Sequence, residues 1–177
     1  MRSFLIAALL VLLAACEGGG APAPPGRAHE DFVLTGEFKT SSNTARAITG
    51  GMVVERTEVT FENGVVLHTE VLNARRGGDL IAKNGDSFAA AVVGPGTLNV
   101  ELRRVIEQVL PAGVIGLCGA ERPQFIALAY DARATRVTML VFSGSEAPGP
   151  EAAHSRVCAR FGYAAPDGAR TSEGVVL

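Results

Sequence analysis

The chain has 177 residues, of which 47% are hydrophobic, 19% charged and 6% aromatic, and this composition fits one globular domain rather than a disordered chain or a multi-domain assembly. Sixteen Lys and Arg residues against eighteen Asp and Glu residues give a net charge of −2. The chain therefore lacks the basic excess that neutralises phosphates, and we expect no nucleic-acid partner.

The N-terminal segment carries the strongest signal in the sequence. Arg2 gives a short positive start, an apolar run extends from Phe4 to Leu13, and Ala14-Ala15-Cys16 follow. The run is shorter than the roughly 20 apolar residues that span a bilayer. It is typical of an export signal that is removed from the mature protein.

The sequence Leu13-Ala14-Ala15-Cys16 resembles the lipobox of bacterial lipoproteins, whose signal peptidase cuts before a lipid-modified cysteine. The resemblance covers residues 1–16 and implies that residues 1–15 are removed and that Cys16 carries acyl chains that hold the protein at a membrane. An ordinary signal peptide with an accidental cysteine is the alternative. Glu17, where an enterobacterial inner-membrane lipoprotein has Asp, favours the outer membrane. The resemblance thus predicts a lipid-anchored, periplasm-facing protein of the cell envelope.

The mature chain divides into a tether, a domain and a tail. Residues 16–30 are rich in Gly and Pro and have no hydrophobic period, which predicts an extended tether in which His29 is solvated. Residues 31–166 carry the strand signals and form the predicted globular domain. Residues 167–177 are predicted to be a flexible tail.

The cysteines predict one disulfide. With Cys16 assigned to lipid, Cys118 and Cys158 remain in an exported domain, where an oxidising periplasm favours a bridge between them. Closing a loop of about 40 residues stabilises a fold by up to about 4 kcal/mol. A metal pair or a reactive thiol are alternatives, although two cysteines without a clustered histidine or CxxC spacing make a poor zinc site.

Strand patterns dominate the domain from its start. The residues from 32 to 38 alternate loosely, and the Ser- and Thr-rich stretch 40–51 predicts a loop or a single helical turn. The β-branched runs 53–62 and 65–73 predict two strands. Asn63-Gly64 between them is typical of a two-residue type I′ hairpin turn, because both central residues of that turn need a positive φ.

This turn sets a register in which the numbers of facing residues sum to 127. His68 then lies opposite Val59 and shares a face with Glu70, Thr57 and Glu55. One imidazole with two carboxylates suits a metal site or a base with its orienting acid. A half-exposed strand face is the simpler interpretation, and we expect neither a metal nor a cofactor.

Two further hairpins are predicted in the second half. Asn84-Gly85-Asp86 is a turn cluster that predicts a hairpin between strands 80–83 and 87–93. Residues 124–131 and 136–142 predict a hairpin that is apolar on both faces, which is typical of central strands covered on both sides.

The segment 98–110 carries two competing patterns. Its first five residues alternate as a strand does, but its apolar residues follow helical spacing between a capping residue, Thr97, and a stop at Pro111. We predict an amphipathic helix, because Val105-Ile106 and Val109-Leu110 cannot both face one side of a strand. Residues 151–155 are compatible with a short helical turn. The predicted fold is α+β: an antiparallel sheet of about six strands built from hairpins, with one covering helix, in a single disulfide-stapled domain.

Gly85-Asp86-Ser87-Phe88 resembles the nucleophile block of GDSL-type esterases, in which a histidine from an Asp-x-x-His block activates the serine. Glu151-Ala-Ala-His154 stands near the corresponding place, with Glu instead of Asp. The resemblance implies an esterase with Ser87 as nucleophile, His154 as base and Glu151 as the acid. That family has a parallel sheet, and its oxyanion blocks have no match here, so a tight turn followed by a strand is the leading interpretation.

Three functional classes follow from these patterns. The anchor, tether and disulfide favour a non-enzymatic binding or accessory module of the cell envelope, whose partner is a protein, a lipid or a glycan. The second class is the anchored esterase. The third resembles the lipoprotein inhibitors of lysozyme, which are also tethered, compact, disulfide-bearing and β-rich. For that class the sequence offers one turn as a contact, Ser143-Gly144-Ser145.

Overall fold

The computed structural model describes residues 33–92 and 98–166. The predicted signal peptide, the tether and the tail 167–177 lie outside these ranges, as does Thr97. The described residues form nine strands and two short helices: β1 Gly36–Thr40, α1 Asn43–Ile48, β2 Met52–Val54, β3 Glu58–Phe61, β4 Val66–Val71, β5 Arg75–Arg76, α2 Phe88–Val92, β6 Asn99–Val109, β7 Phe125–Tyr130, β8 Arg136–Ser143 and β9 Arg156–Ala164.

Eight of the strands close into an antiparallel barrel. The ring runs β1-β2-β3-β4-β6-β7-β8-β9 and returns to β1. The pairing of β4 with β6, from Val66 opposite Val109 to Val71 opposite Arg103, completes the ring across the segment that contains β5. The two-residue strand β5 pairs with the first residues of β6. Each strand of the ring therefore has a neighbour on both sides, which leaves no open sheet for a helix to cover.

The predicted α+β fold with a covering helix is wrong. The predicted helix 98–110 is the 11-residue strand β6. Val100 and Leu102 of β6 pack outside the barrel, whereas Val105 belongs to the cluster that fills it. A strand buried on both faces places apolar residues on either side, so the helical spacing of those residues did not report a helix.

A β-bulge accommodates the adjacent apolar residues that argued against a strand. Glu107 faces His68 and Val105 faces Thr69, so Ile106 is an extra residue without a partner. Ile106 is 55% exposed. Val105 and Ile106 therefore both lie in β6 without facing the same side, because Val105 is buried and Ile106 is left at the surface.

The Asn63-Gly64 turn is present with a different geometry. Gly64 N donates to Phe61 O and Phe61 N donates to Val65 O, both over 2.9 Å, so the loop has one residue more than predicted. Gly64 has a φ of +86°. This is a three-residue loop that ends in a glycine bulge rather than a type I′ turn. The facing residue numbers consequently sum to 126, and the predicted register is wrong by one residue.

Two other strand predictions are corrected. The predicted strand 53–62 is interrupted, because the chain turns between Val54 and Glu58 and forms β2 and β3. The predicted strand 87–93 is helix α2 over its described part, and the predicted strand 80–83 contributes only a bridge between Leu80 and Ser87. For the stretch 40–51 the sequence predicts a loop or a single helical turn, and the structure has the short helix α1 there.

The β7–β8 hairpin is confirmed, including its coverage on both faces. One face, with Leu128 and Met139, joins a core to which all eight strands of the ring contribute. The other face packs against Ile81 and Phe88 from the segment between β5 and β6. Phe88 meets Phe142 edge-to-face, with ring centroids 6.4 Å apart. That segment thus forms a second layer outside one wall of the barrel.

A buried ion pair lies near the start of β6. Arg103 is fully buried, and its Nε donates to Glu101 Oε1 over 2.6 Å. Its Nη2 donates to Leu34 O over 3.0 Å, and its Nη1 donates to Glu55 O over 2.6 Å and to Thr69 Oγ1 over 3.3 Å. Glu101 Oε2 accepts the N–H of Leu34 over 2.6 Å. Burial raises the pKa of Glu101 although Arg103 opposes this shift.

We expect Arg103→Met to destabilise the domain by about 3 to 5 kcal/mol, because Glu101 remains buried without its cation. Chemical denaturation at about pH 7 measures this loss. The folded-state pKa of Glu101 lies above its ordinary value, so the folded protein holds this proton more tightly than the unfolded chain. Stability from this group is therefore present at low pH and lost as the pH rises through that pKa.

Removing Arg103 raises the pKa of Glu101 further, so the deficit of Arg103→Met should shrink between about pH 7 and about pH 5. The control is the double variant Arg103→Met with Glu101→Gln, in which no charge is buried and Gln can still accept from Leu34. We expect it to be more stable than the single variant at neutral pH. A pH-independent deficit that the double variant does not relieve would show that the pair is not coupled.

Candidate binding surface

The chain from Val109, the last residue of β6, to Ala120 forms the first part of the connection to β7 and is called the disulfide loop here. It contains no Asp, Glu, Lys, Arg or His, although Glu107 and Glu121 lie just outside it. Connecting segments ordinarily lie in water, so an uncharged run of this length places apolar groups at the surface. The loop is therefore the first surface to consider for binding.

The disulfide loop is fixed to the barrel. Cys118 forms the predicted disulfide with Cys158 of β9, and their Cα atoms are 5.3 Å apart. Leu117 is buried, and Val114 packs against the core that fills the barrel. Two turns order the loop internally, one with Val114 N donating to Pro111 O over 3.1 Å and one with Gly119 N donating to Gly116 O over 2.9 Å. The loop is thus a preformed surface.

Apolar side chains are exposed on this loop and on the β6 residues beside it. Ile115 is 75% exposed, although its neighbours Val114 and Leu117 point toward the core. Leu110 and Val109 are 42% and 43% exposed. With the bulge residue Ile106 they make up four of the seven large apolar side chains that are exposed among the described residues. Exposed apolar residues gathered in one place mark interaction sites more often than scattered ones do.

The sequence analysis missed this surface, although a signal was present. The sequence pattern predicts that Pro111 stops a helix over 98–110, with Val109 on its apolar face. The signal was the uncharged stretch between Glu107 and Glu121, which ends at a disulfide cysteine. Only the structure shows which of its apolar residues are buried and which are exposed.

Ser87 serves a structural purpose in the fold. Its Oγ accepts the N–H of Ala90 over 3.2 Å and its carbonyl oxygen accepts the N–H of Ala91 over 3.0 Å, so Ser87 caps the N-terminus of α2. The sequence predicts a tight turn followed by a strand here, but the turn is followed by helix α2.

The structure places the two loops that carry the predicted esterase residues side by side, without a hydrogen bond between the side chains of Ser87 and His154. Lys83 N donates to Ala152 O over 2.9 Å, so the loops that carry Ser87 and His154 are neighbours. His154 is exposed, and its backbone N–H donates to Glu146 Oε2 over 3.0 Å. Among the described residues, no side-chain hydrogen bond links Ser87, His154 and Glu151.

The register shift changes the predicted grouping around His68: Glu70 stays on the same face of β4, but Glu58 takes the place of Thr57 and Glu55. His68 faces Glu58, and its Nδ1 lies 3.3 Å from Glu58 Oε2. Glu70 Oε2 lies 3.7 Å from Arg104 Nη1, and Glu55 is in the β2–β3 turn. Over residues 33–92 and 98–166, no three His, Cys, Asp or Glu side chains are placed to hold a metal ion. His68 and Glu58 thus form a surface cross-strand pair.

The Ser143-Gly144-Ser145 turn is held rigidly. Ser143 is buried at the end of β8, and Gly144 has a φ of +102°. The carbonyl oxygen of His154 occupies the space that a side chain at Gly144 would need. Glycine is therefore required at this position for both conformation and space.

A shallow groove on the outer face of β1, β2 and β3 is a second surface feature. Glu37 and Lys39 lie on its rim, Val53 and Thr60 line it, and Pro166 borders it. It combines opposite charges with a small apolar area. It lacks the concentration of exposed apolar side chains that distinguishes the disulfide loop.

No helix among the described residues is long and apolar enough to cross a membrane. No protein-family model, curated protein or solved structure matches this chain. Its function must therefore be inferred from its own residues.

We expect Cys118 and Cys158 to resist thiol labelling in the native protein and to react only after reduction. Cys118→Ala should lower the free energy of unfolding by about 2 to 4 kcal/mol, since the disulfide loop loses its covalent tie to β9. Mass spectrometry of labelled protein and thermal melting measure both effects. Labelling of both cysteines without reductant would contradict the pairing.

A fluorophosphonate probe should leave Ser87 unlabelled, because its hydroxyl caps α2 and, among the described residues, makes no hydrogen bond to His154. Ser87→Ala should cost about 1 kcal/mol of stability, as loss of a helix cap does, and should leave ester turnover at background. Ser87→Asp, which keeps a capping oxygen, is the matched control and should retain stability. Stoichiometric labelling that disappears in both Ser87→Ala and His154→Ala would establish a serine hydrolase.

Proposed function

We propose that this protein is a lipid-anchored, non-enzymatic module of the cell envelope that binds another envelope component through the disulfide loop. The observation that carries the proposal is the exposure of Ile115, held outward between two residues that are fixed in the core. A preformed apolar projection loses little conformational freedom when it binds. The loop therefore has the properties of a contact surface.

The filled interior supports binding from outside. Side chains from every strand of the ring occupy the barrel, including Phe38, Phe161 and Tyr163. The hydroxyl of Tyr163 lies 2.8 Å from Thr49 Oγ1, so even this polar end is internally bonded. Barrels that carry small ligands hold them in an interior cavity. Here that space is used for packing, and recognition is left to the surface.

The anchor is proposed from the lipobox. Cleavage before Cys16 removes Arg2 with the signal, leaving fifteen Lys and Arg residues against eighteen Asp and Glu residues, a net charge of −3. An acidic chain is not attracted to anionic lipid headgroups, so acyl chains on Cys16 would supply the attachment. Glu17 beside that cysteine favours the outer membrane, with the domain facing the periplasm.

The anchor is tested by Cys16→Ser. The wild-type protein should partition with membranes and carry the added mass of acyl chains, whereas Cys16→Ser should lose the acyl modification. Cys118→Ser is the matched control, because it removes a cysteine outside the lipobox and should remain acylated. Recovery of an unmodified mature wild-type protein from the soluble periplasm would disprove the lipoprotein proposal.

A further inference from the structure

We propose that the component contacted by the disulfide loop is the lipid bilayer, with Ile115 inserted among the acyl chains. The domain would then touch the membrane at a second point besides Cys16. This inference rests on the proposed function because it takes the same loop as the contact surface. It goes further by choosing lipid over protein and glycan.

The absence of charge is the first argument. A charged side chain pays a large desolvation penalty on entering hydrocarbon, and the disulfide loop contains none. The nearest charges outside the loop are Glu107, Glu121 and Arg122, all exposed, and Arg122 Nη2 donates to Ile106 O over 3.2 Å. Loop insertion would therefore place apolar atoms in the bilayer and leave the charges in water.

The backbone of the loop is the second argument. An unpaired N–H group costs several kcal/mol in hydrocarbon, roughly as much as an apolar side chain gains there. The turns of the loop pair the N–H groups of Val114 and Gly119, and Pro111 has no N–H to pair. A short antiparallel bridge also pairs Gly116 with Gly119. The turns satisfy two of the loop's N–H groups before contact, so we infer a shallow insertion in which the side chain of Ile115 enters the hydrocarbon and the other backbone groups stay at the hydrated surface.

The types of side chain distinguish lipid from the other partners. Protein interfaces concentrate their binding energy in Trp, Tyr and Arg, and the disulfide loop has none of these residues. It also has no Asn, Gln, Asp or Glu with which to bind sugar hydroxyls. Its exposed large side chains are the aliphatic Val109, Leu110 and Ile115, and its other exposed residues are Ala and Gly. Aliphatic side chains without hydrogen-bonding groups match acyl chains best.

The chain between the lipid and the domain is long enough. Sixteen residues lie between Cys16 and Val33, the first described residue. Such a length reaches at most about 55 Å. The 11-residue strand β6 is about 36 Å long. An acyl anchor at Cys16 therefore leaves the disulfide loop able to reach the same bilayer.

The test uses the mature chain with Cys16→Ser, which carries no acyl group, and vesicles of pure phosphatidylcholine. We expect the protein to float with the vesicles. Because the attraction is hydrophobic, flotation should change less than twofold when anionic phosphatidylglycerol is added or when salt rises from about 0.05 to about 0.5 M. Ile115→Ser should lower the partition coefficient about tenfold, since it removes one large aliphatic side chain from the hydrocarbon.

Val53→Ser is the matched control, because Val53 is also exposed but lies on β2, outside the disulfide loop. It should float as the parent chain does. The protein has no Trp, so Ile115→Trp adds a single reporter whose emission should shift to the blue with vesicles and be quenched by brominated lipid. Val53→Trp should show neither change. This pair of variants keeps the test valid even if Ile115→Ser unfolds.

Several results would overturn the inference. The parent chain could fail to float, or float only when anionic lipid is present. Ile115→Ser and Val53→Ser could lower the partition coefficient equally, or the emission of Ile115→Trp could stay unshifted with vesicles. Failure here is separable from failure of the anchor. A chain that is acylated on Cys16 but whose unacylated form ignores vesicles retains the proposed anchoring and loses only this inference. A chain that binds vesicles through Ile115 but is never acylated on Cys16 retains this inference and loses the proposed anchoring.

Discussion

The buried guanidinium of Arg103 is the constraint on which one end of the barrel depends. It bonds to Glu101 within its own strand, to the carbonyl oxygens of Leu34 and Glu55, and to the hydroxyl of Thr69. These partners belong to the chain entering the domain, to the β2–β3 turn and to β4. Arginine can satisfy so many acceptors at once because its planar head carries five N–H groups. Replacing such a pair with apolar residues is often neutral or stabilising in proteins, and we infer that the pair here fixes which segments meet.

The two ends of β6 are held by different chemistry. Near the start of β6, charges and backbone carbonyls form the Arg103 network. Beyond its end, the disulfide of Cys118 with Cys158 and the buried Leu117 hold an uncharged loop. In the Arg103 network the polar groups bond to one another, whereas the disulfide loop leaves Ile115 exposed. This asymmetry is the physical basis for looking for function at the disulfide loop rather than in the barrel.

Local signals in the sequence identified several elements correctly. The apolar faces of β7 and β8 predicted a hairpin covered on both sides, and the two cysteines outside the lipobox predicted the disulfide. Asn63-Gly64 predicted a turn at the right residues. Strand β9 was missed, although Val157, Ala159, Phe161 and Tyr163 alternate with more polar or smaller residues as a strand requires. That pattern was visible and was overlooked.

The sequence by itself determined which residues prefer strands and turns, and where two cysteines remain to pair. It did not determine how the strands close, because closure depends on β4 meeting β6 across nearly thirty residues of intervening chain. Helical spacing in 98–110 misled because the first part of β6 is buried on both faces, one by the barrel and one by the layer around Phe88. The turn at Gly64 fixed the face of His68 through a single extra residue. The exposure of Ile115 was also decided by tertiary structure, since only packing against the barrel separates it from its buried neighbours.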